Sequence, residues 1–237
     1  MFEFKICLAQ KTVLLKSRFN FLQTFCKDYL FPFEGAPDII AEVKKEDVEK
    51  EIEIAEVETT EEYAECLCLY REIAEKLPEF DRLVMHGAAI THENRAVLFT
   101  APSGTGKTTH IKLWKKAFGS KVDIINGDKP ILHIQNDGVI VHSSPWAGKE
   151  NYQKNRNAPL KAICIIKRAE KNRTYKVDPK EHLPFILHQI YLPKNGEMAQ
   201  KTLQLFNSII SQIPVYIVEC NISENAATAA YNAVFGE

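Results

Sequence analysis

Eight consecutive residues carry the sharpest chemical signal of this chain: Ala101, Pro102, Ser103, Gly104, Thr105, Gly106, Lys107 and Thr108. They fit the phosphate-binding pattern GxxxxGK[ST], the Walker A loop, with one departure, since Ala101 stands where the first glycine belongs. A glycine-rich turn that runs into a helix lets successive backbone N–H groups crowd round an anion, with the positive helix end behind them. In this reading Ser103, Gly104, Thr105, Gly106, Lys107, Thr108 and Thr109 hold the polyphosphate of ATP. Lys107 bridges the β- and γ-phosphates, and the Thr108 hydroxyl ligates Mg²⁺.

Such a metal also needs a carboxylate at the end of a neighbouring strand. Asp128, in NGDKP twenty-one residues after Lys107, stands where a Walker B acid belongs. A plain turn with Gly127 and Pro130 is the alternative, in which case Asp123 is the next candidate ligand. His86 is expected in the strand beside the one feeding the loop, within reach of a γ-phosphate, although a strand histidine is as often a core or edge residue. Trp146 is expected to pack under its own loop, with stacking on a base or acceptor as the alternative.

Positioning these groups requires strands that end together. LVMHGAAI and RAVLFTA read as two strands joined by THEN, too short a link for a parallel crossover, so they must be antiparallel neighbours. The second runs directly into a helix whose apolar face is Ile111, Leu113, Trp114, Ala117 and Phe118, closed by Gly119. VDIIN is a short buried strand, and ILHIQ and VIVHS form a hairpin around Asn136, Asp137 and Gly138. SPWAGKENYQKNRNAP, sixteen residues, is long enough for a working loop. LKAICIIKRA and RTYKVD are further strands, and PKEHLPFILHQIYL is a helix with Pro184 in an early turn. A helix (MAQKTLQLFNSIISQI), a strand (PVYIVEC) and a helix capped by Ser223 close the chain.

The first eighty residues have their own character. FKICLAQKTVLLKS reads as a hairpin, FNFLQTFCKDYL as a short amphipathic helix and PDIIAEV as a strand. Between Glu42 and Glu62 lie ten acidic residues and three lysines, and the alternation in EIEIAEVE predicts an exposed edge strand. TTEEYAECLCLYREIAEKL is a helix with a threonine cap. These patterns divide the chain into a small N-terminal α+β subdomain, 1–80, and a nucleotide-binding domain, 81–237.

The residues quoted above also resemble a family. MHGAAITHENRAVLFTAPSGTGKTTH, followed by a strand and an Asp, looks like the C-terminal domain of HPr serine kinase/phosphorylase, and SGTGKTT is the loop wording of ATP-dependent phosphoenolpyruvate carboxykinase. The similarity covers roughly residues 83 to 170. It implies an α/β phosphoenolpyruvate carboxykinase/HPr kinase-like P-loop core with a mixed, partly antiparallel sheet. It also implies an ATP- and Mg²⁺-dependent phosphotransferase acting on a serine hydroxyl of a protein or peptide, with Lys107, Asp128 and His86 as catalytic residues and Thr108 and Asp128 as metal ligands. Both families carry two adjacent acids where this chain has Gly127 and Asp128. Asp128 alone, His86 as base, a small-molecule kinase or carboxykinase relative, and an inactive nucleotide-binding regulatory module therefore all stay open.

With 30 Lys+Arg against 31 Asp+Glu the net charge is −1, so neither nucleic acid nor a membrane is an expected partner. Self-association stays open. From Lys107 to Lys194, however, 17 basic residues face 7 acidic ones, and Lys129, Lys149, Lys154, Arg156, Lys167 and Arg168 fall in or beside candidate site loops. The composition, 45% hydrophobic and 26% charged, supplies a core and excludes a disordered chain. Six cysteines, in no metal-binding spacing, read as buried reduced thiols, and with no long apolar run the expected location is cytoplasmic.

Overall fold

In the computed structural model, which describes residues 1–55 and 58–236, strands β1 (Phe2–Leu8) and β2 (Lys11–Ser17) form the expected hairpin. β3 (Ile39–Ala41) joins β2 in parallel to complete a three-stranded sheet. Every second residue of the hairpin turns inward, and Ile6, Leu8, Val13 and Leu15 are fully buried. Helix α1 (Phe21–Phe25) precedes a 3-10 turn at Lys27–Tyr29. Helix α3 (Glu61–Lys76) begins at Thr60, whose hydroxyl accepts from the Tyr63 N–H as a cap should.

The acidic stretch differs from expectation. Glu51, Ile52 and Glu53 of EIEIAEVE lie in helix α2 (Lys45–Glu53) instead of an edge strand; Glu56 and Val57 lie outside the described residues. Helix α2 is held by fully buried Val48 and by Glu51, which pairs with the Arg71 guanidinium of α3. An ion pair and one apolar anchor decide this segment, and a four-residue alternation does not encode either.

The remaining strands build one mixed sheet of nine. LVMHGAAI is broken: β4 (Arg82–Val84) pairs with β8 (Ile131–Gln135), whereas β5 (Ala88–His92) pairs antiparallel with both β6 (Arg95–Thr100) and β7 (Val122–Asn126). β9 (Gly138–His142) closes a hairpin with β8 and pairs with the start of β10 (Asn157–Arg168). That strand is twelve residues long, and its second half runs parallel to β6 and to β12 (Val215–Cys220), beside which lies β11 (Arg173–Val177).

Alternation divides the sheet's two faces. Ile163 and Ile165 of β10 face a core shared with helix α6 (Gly196–Gln212), through Leu205, Phe206 and Ile209. Ala162, Cys164 and Ile166 face the opposite core, with Trp114 of α4 (Lys107–Phe118) and Ala227 and Ala230 of α7 (Asn225–Phe235). The expected helix after Val177 is a 3-10 turn, Pro179–His182, followed by the six-residue α5 (Leu183–His188), with Pro184 in its first turn. Ser223 does not cap α7: its hydroxyl binds Asn221, and the helix starts after Glu224. All six cysteines are free, and Cys7 is half-exposed whereas the other five are buried. No described helix is long and apolar enough to cross a membrane.

Candidate functional site

Strands β6, β7, β10 and β12 all run in one direction, because β5 lies antiparallel between β6 and β7. Their carboxyl ends therefore meet at one sheet edge, the place where open α/β sheets bind ligands. The loop 101–106 leaves β6 there, Asp128 follows β7, Arg168 ends β10, and the amino end of β5 brings His86 to the same edge.

The loop has the backbone that the sequence requires. Gly104 (φ +73°) and Gly106 (φ +122°) occupy conformations that side-chain-bearing residues rarely adopt. Helix α4 starts at Lys107 and its first free N–H groups face the loop. Lys107 is buried, not exposed as a flexible loop side chain would be: its ammonium donates to the Ala101 carbonyl at 2.9 Å, folding back across the loop's mouth. Burial lowers the Lys107 pKa, and the carboxylate of Asp128 opposes that fall. Ser103, Gly104 and Thr109 are exposed, while Thr105, Gly106 and Thr108 are half-buried. The Arg168 guanidinium donates to two carbonyls of the loop, Thr105 at 3.0 Å and Gly104.

Asp128 is placed by Asn126, which is fully buried and whose Oδ1 accepts from the N–H groups of Asp128 (2.9 Å) and Lys129 (2.7 Å). Asn-Gly-Asp is an Asx-turn signal that a sequence reading could have used and did not. The carboxylate faces His86 Nε2 at 3.4 Å and Lys129 Nζ at 2.7 Å. Burial works to raise its pKa, but the His86 hydrogen bond and the Lys129 ammonium outweigh it and hold the carboxyl well below the usual carboxylate range. His86 lies in the break between β4 and β5, not within a strand. Its N–H donates to the Gln189 carbonyl at 2.7 Å, its Nδ1 lies 3.2 Å from Gln189 Oε1, and its carbonyl accepts from the Thr100 hydroxyl at 3.1 Å.

Gly127 has a packing reason. A Cβ there would come within 3.1 Å of the Ala147 carbonyl and 3.3 Å of the Tyr152 carbonyl, so the polar loop folds back over the position where the families named above carry an acid. Trp146 packs as expected. It is 3% exposed, stacks on Tyr70 at 4.2 Å between centroids and donates to the Cys66 carbonyl at 3.1 Å. Lys154 and Arg156 bind Asp123, away from Asp128, and Lys149 stands exposed in the loop.

Besides one of about 210 Å³ at His86, Lys129 and Gln189, three cavities border these groups. One of about 620 Å³ runs along Ser103, Gly104, Lys167, Arg168 and Phe185. Another of about 370 Å³ lies over Thr109, Leu113 and Ile222. The third, of about 400 Å³, opens at Asp128. Among the described residues no cluster of three or more His, Cys, Asp or Glu is fit to hold a metal. Thr108 and Asp128 offer one hydroxyl and one carboxylate, a sparse oxygen set that suits Mg²⁺ sharing its shell with phosphate oxygens and water.

No family model matches the chain, and no curated protein matches it. Among solved structures, the Hpr(Ser) kinase/phosphatase from Coxiella burnetii aligns over 63% of this chain and 88% of its own, at 11% identity and a TM-score of 0.38. Nothing about activity follows from a likeness at that level.

Proposed function

We propose that the protein is an ATP- and Mg²⁺-dependent phosphotransferase that acts on an alcohol. The observation that carries this reading is the meeting, at one sheet edge, of a glycine-rich loop in phosphate-binding form with Lys107, Asp128 and His86. Residues 103–109 bind the polyphosphate, and Lys107 leaves the Ala101 carbonyl for the β- and γ-phosphates. Thr108 and Asp128 hold the Mg²⁺, which when bound neutralises charge on the transferring group. Arg168 keeps the loop's carbonyls turned outward.

The acceptor hydroxyl must lose a proton as it attacks. His86, whose Nε2 lies 3.4 Å from Asp128, receives it, since Asp128 is committed to the metal. Gly127 is then a consequence of loop packing and not a sign of lost chemistry. Residues 1–80 act as a subdomain that braces this site. The resemblance implies a serine hydroxyl on a protein or peptide as acceptor, with the hydroxyl of a small molecule as the alternative. Incubation with γ-labelled ATP and cell extract tests the reading: transfer to any acceptor, absent in Lys107→Ala, supports it, and nucleotide binding without transfer to protein or metabolite contradicts it.

A further inference from the structure

The cleft of about 400 Å³ at Asp128 is built from the N-terminal segment and the middle of the sequence. Phe25 and Leu67 form one wall; Asp128, Lys149 and Asn151 line the other. Its width is fixed, because the segments that form it are tied together. The Tyr29 hydroxyl binds Ser143 at 2.6 Å and Gln153 at 2.7 Å, Tyr70 donates to the Lys129 carbonyl at 2.8 Å, and Asn155 donates to the Asp28 carbonyl at 2.6 Å. A braced cavity of this size suits a small molecule better than a folded protein's segment.

Its charge is equally specific. Lys129 is bound to Asp128, Lys154 and Arg156 to Asp123, and Arg168 to the phosphate loop. Lys149, by contrast, has no hydrogen-bond or ion-pair partner among the described residues, and it stands in the same lining as Asp128.

Resting on the phosphotransferase reading, we propose that this cleft takes the acceptor as a free hydroxy acid with an apolar body. Its carboxylate meets Lys149, its apolar part lies against Phe25 and Leu67, and its hydroxyl faces Asp128. The hydroxyl oxygen forms a bond to the γ-phosphorus while the bond from that phosphorus to the β-phosphate oxygen breaks. ADP leaves, the proton passes to His86 beside Asp128, and the product is a phosphate monoester.

The experiment uses the full chain, γ-labelled ATP and Mg²⁺, with phenyllactate, glycerate or a serine-containing peptide as probe, and measures ATP affinity separately. Phenyllactate should be labelled, with a lower KM than glycerate. Lys149→Gln should raise that KM by about tenfold, the loss of one charge-assisted contact, with kcat and ATP affinity unchanged, and Lys149→Arg should restore it. Labelling of the peptide alone, no labelling despite ATP binding, or an unchanged KM in Lys149→Gln would overturn the proposal. Failure of the parent protein to bind ATP would overturn the phosphotransferase reading beneath it.

Discussion

Asp128 Oδ1 lies 3.4 Å from His86 Nε2, and this pair sits in the gap between two strand pairings, β4 with β8 on one side and β5 with β7 on the other. It is locked from both sides: the Gly87 N–H donates to the Asp128 carbonyl at 2.8 Å, and Gln189 holds the other face of the imidazole.

Removing His86 should therefore separate binding from transfer. His86→Ala is expected to keep ATP affinity within about threefold while phosphate transfer falls by about a hundredfold or more, the usual weight of a proton-transfer group. Calorimetric titration with ATP and a γ-phosphate transfer assay, run on the same preparation, measure the two quantities.

The brace over the site has a stability signature. Trp146→Ala removes a buried ring stacked on Tyr70 and leaves the Cys66 carbonyl without its donor, and should cost about 3–5 kcal/mol in urea unfolding. Tyr70→Phe keeps the stack and loses the hydroxyl's bond to the Lys129 carbonyl, for about 1 kcal/mol.

Gly127→Asp would place a carboxylate against the Ala147 and Tyr152 carbonyls. Overpacking of this kind costs about 1–3 kcal/mol, to which like polarity adds. The variant should be less stable than the parent and no faster in phosphate transfer, so restoring the missing acid by this one change is not expected. Thermal unfolding and the transfer assay together test the point.

Buried histidines set an acid limit. His110 accepts from Trp114 Nε1 at 3.1 Å, and burial pushes its pKa down to about 4, as it does for His142. A folded pKa below the unfolded value means that the unfolded chain binds more protons. Stability is then complete above about pH 6.5 and falls between there and about pH 4, by about 3 kcal/mol for His110 alone. Urea midpoints at pH 7 and pH 4.5 should differ accordingly.

The turn from β6 into α4 was legible because its signal is local: two glycines, a lysine and a hydroxyl within a few residues, followed by a helical pattern. The antiparallel β5–β6 pair was legible because its link is too short for anything else. The cover over Asp128 was not, since Tyr29 meets Ser143 across 114 positions and Tyr70 meets Lys129 across 59, and no local pattern encodes such contacts. The EIEI alternation misled for the converse reason. Ile52 and Ile54 are 37% and 74% exposed, so the hydrophobic pattern there points to no core, and a distant partner, Arg71, stabilises the helix instead. Nor does the sequence show that the nearby Ala101 carbonyl captures the Lys107 ammonium.

The central claim is that loop 101–108 binds a nucleotide's phosphates through Lys107, with Asp128 assisting the metal. Calorimetric titration of ATP, with and without Mg²⁺, into the parent protein, Lys107→Ala and Asp128→Asn tests it most directly. The account predicts binding that Lys107→Ala weakens by about tenfold or more, consistent with loss of a charge-assisted contact, and whose tightening by Mg²⁺ is lost in Asp128→Asn. Equal ATP affinity in Lys107→Ala and the parent, or no binding by the parent at all, would contradict it.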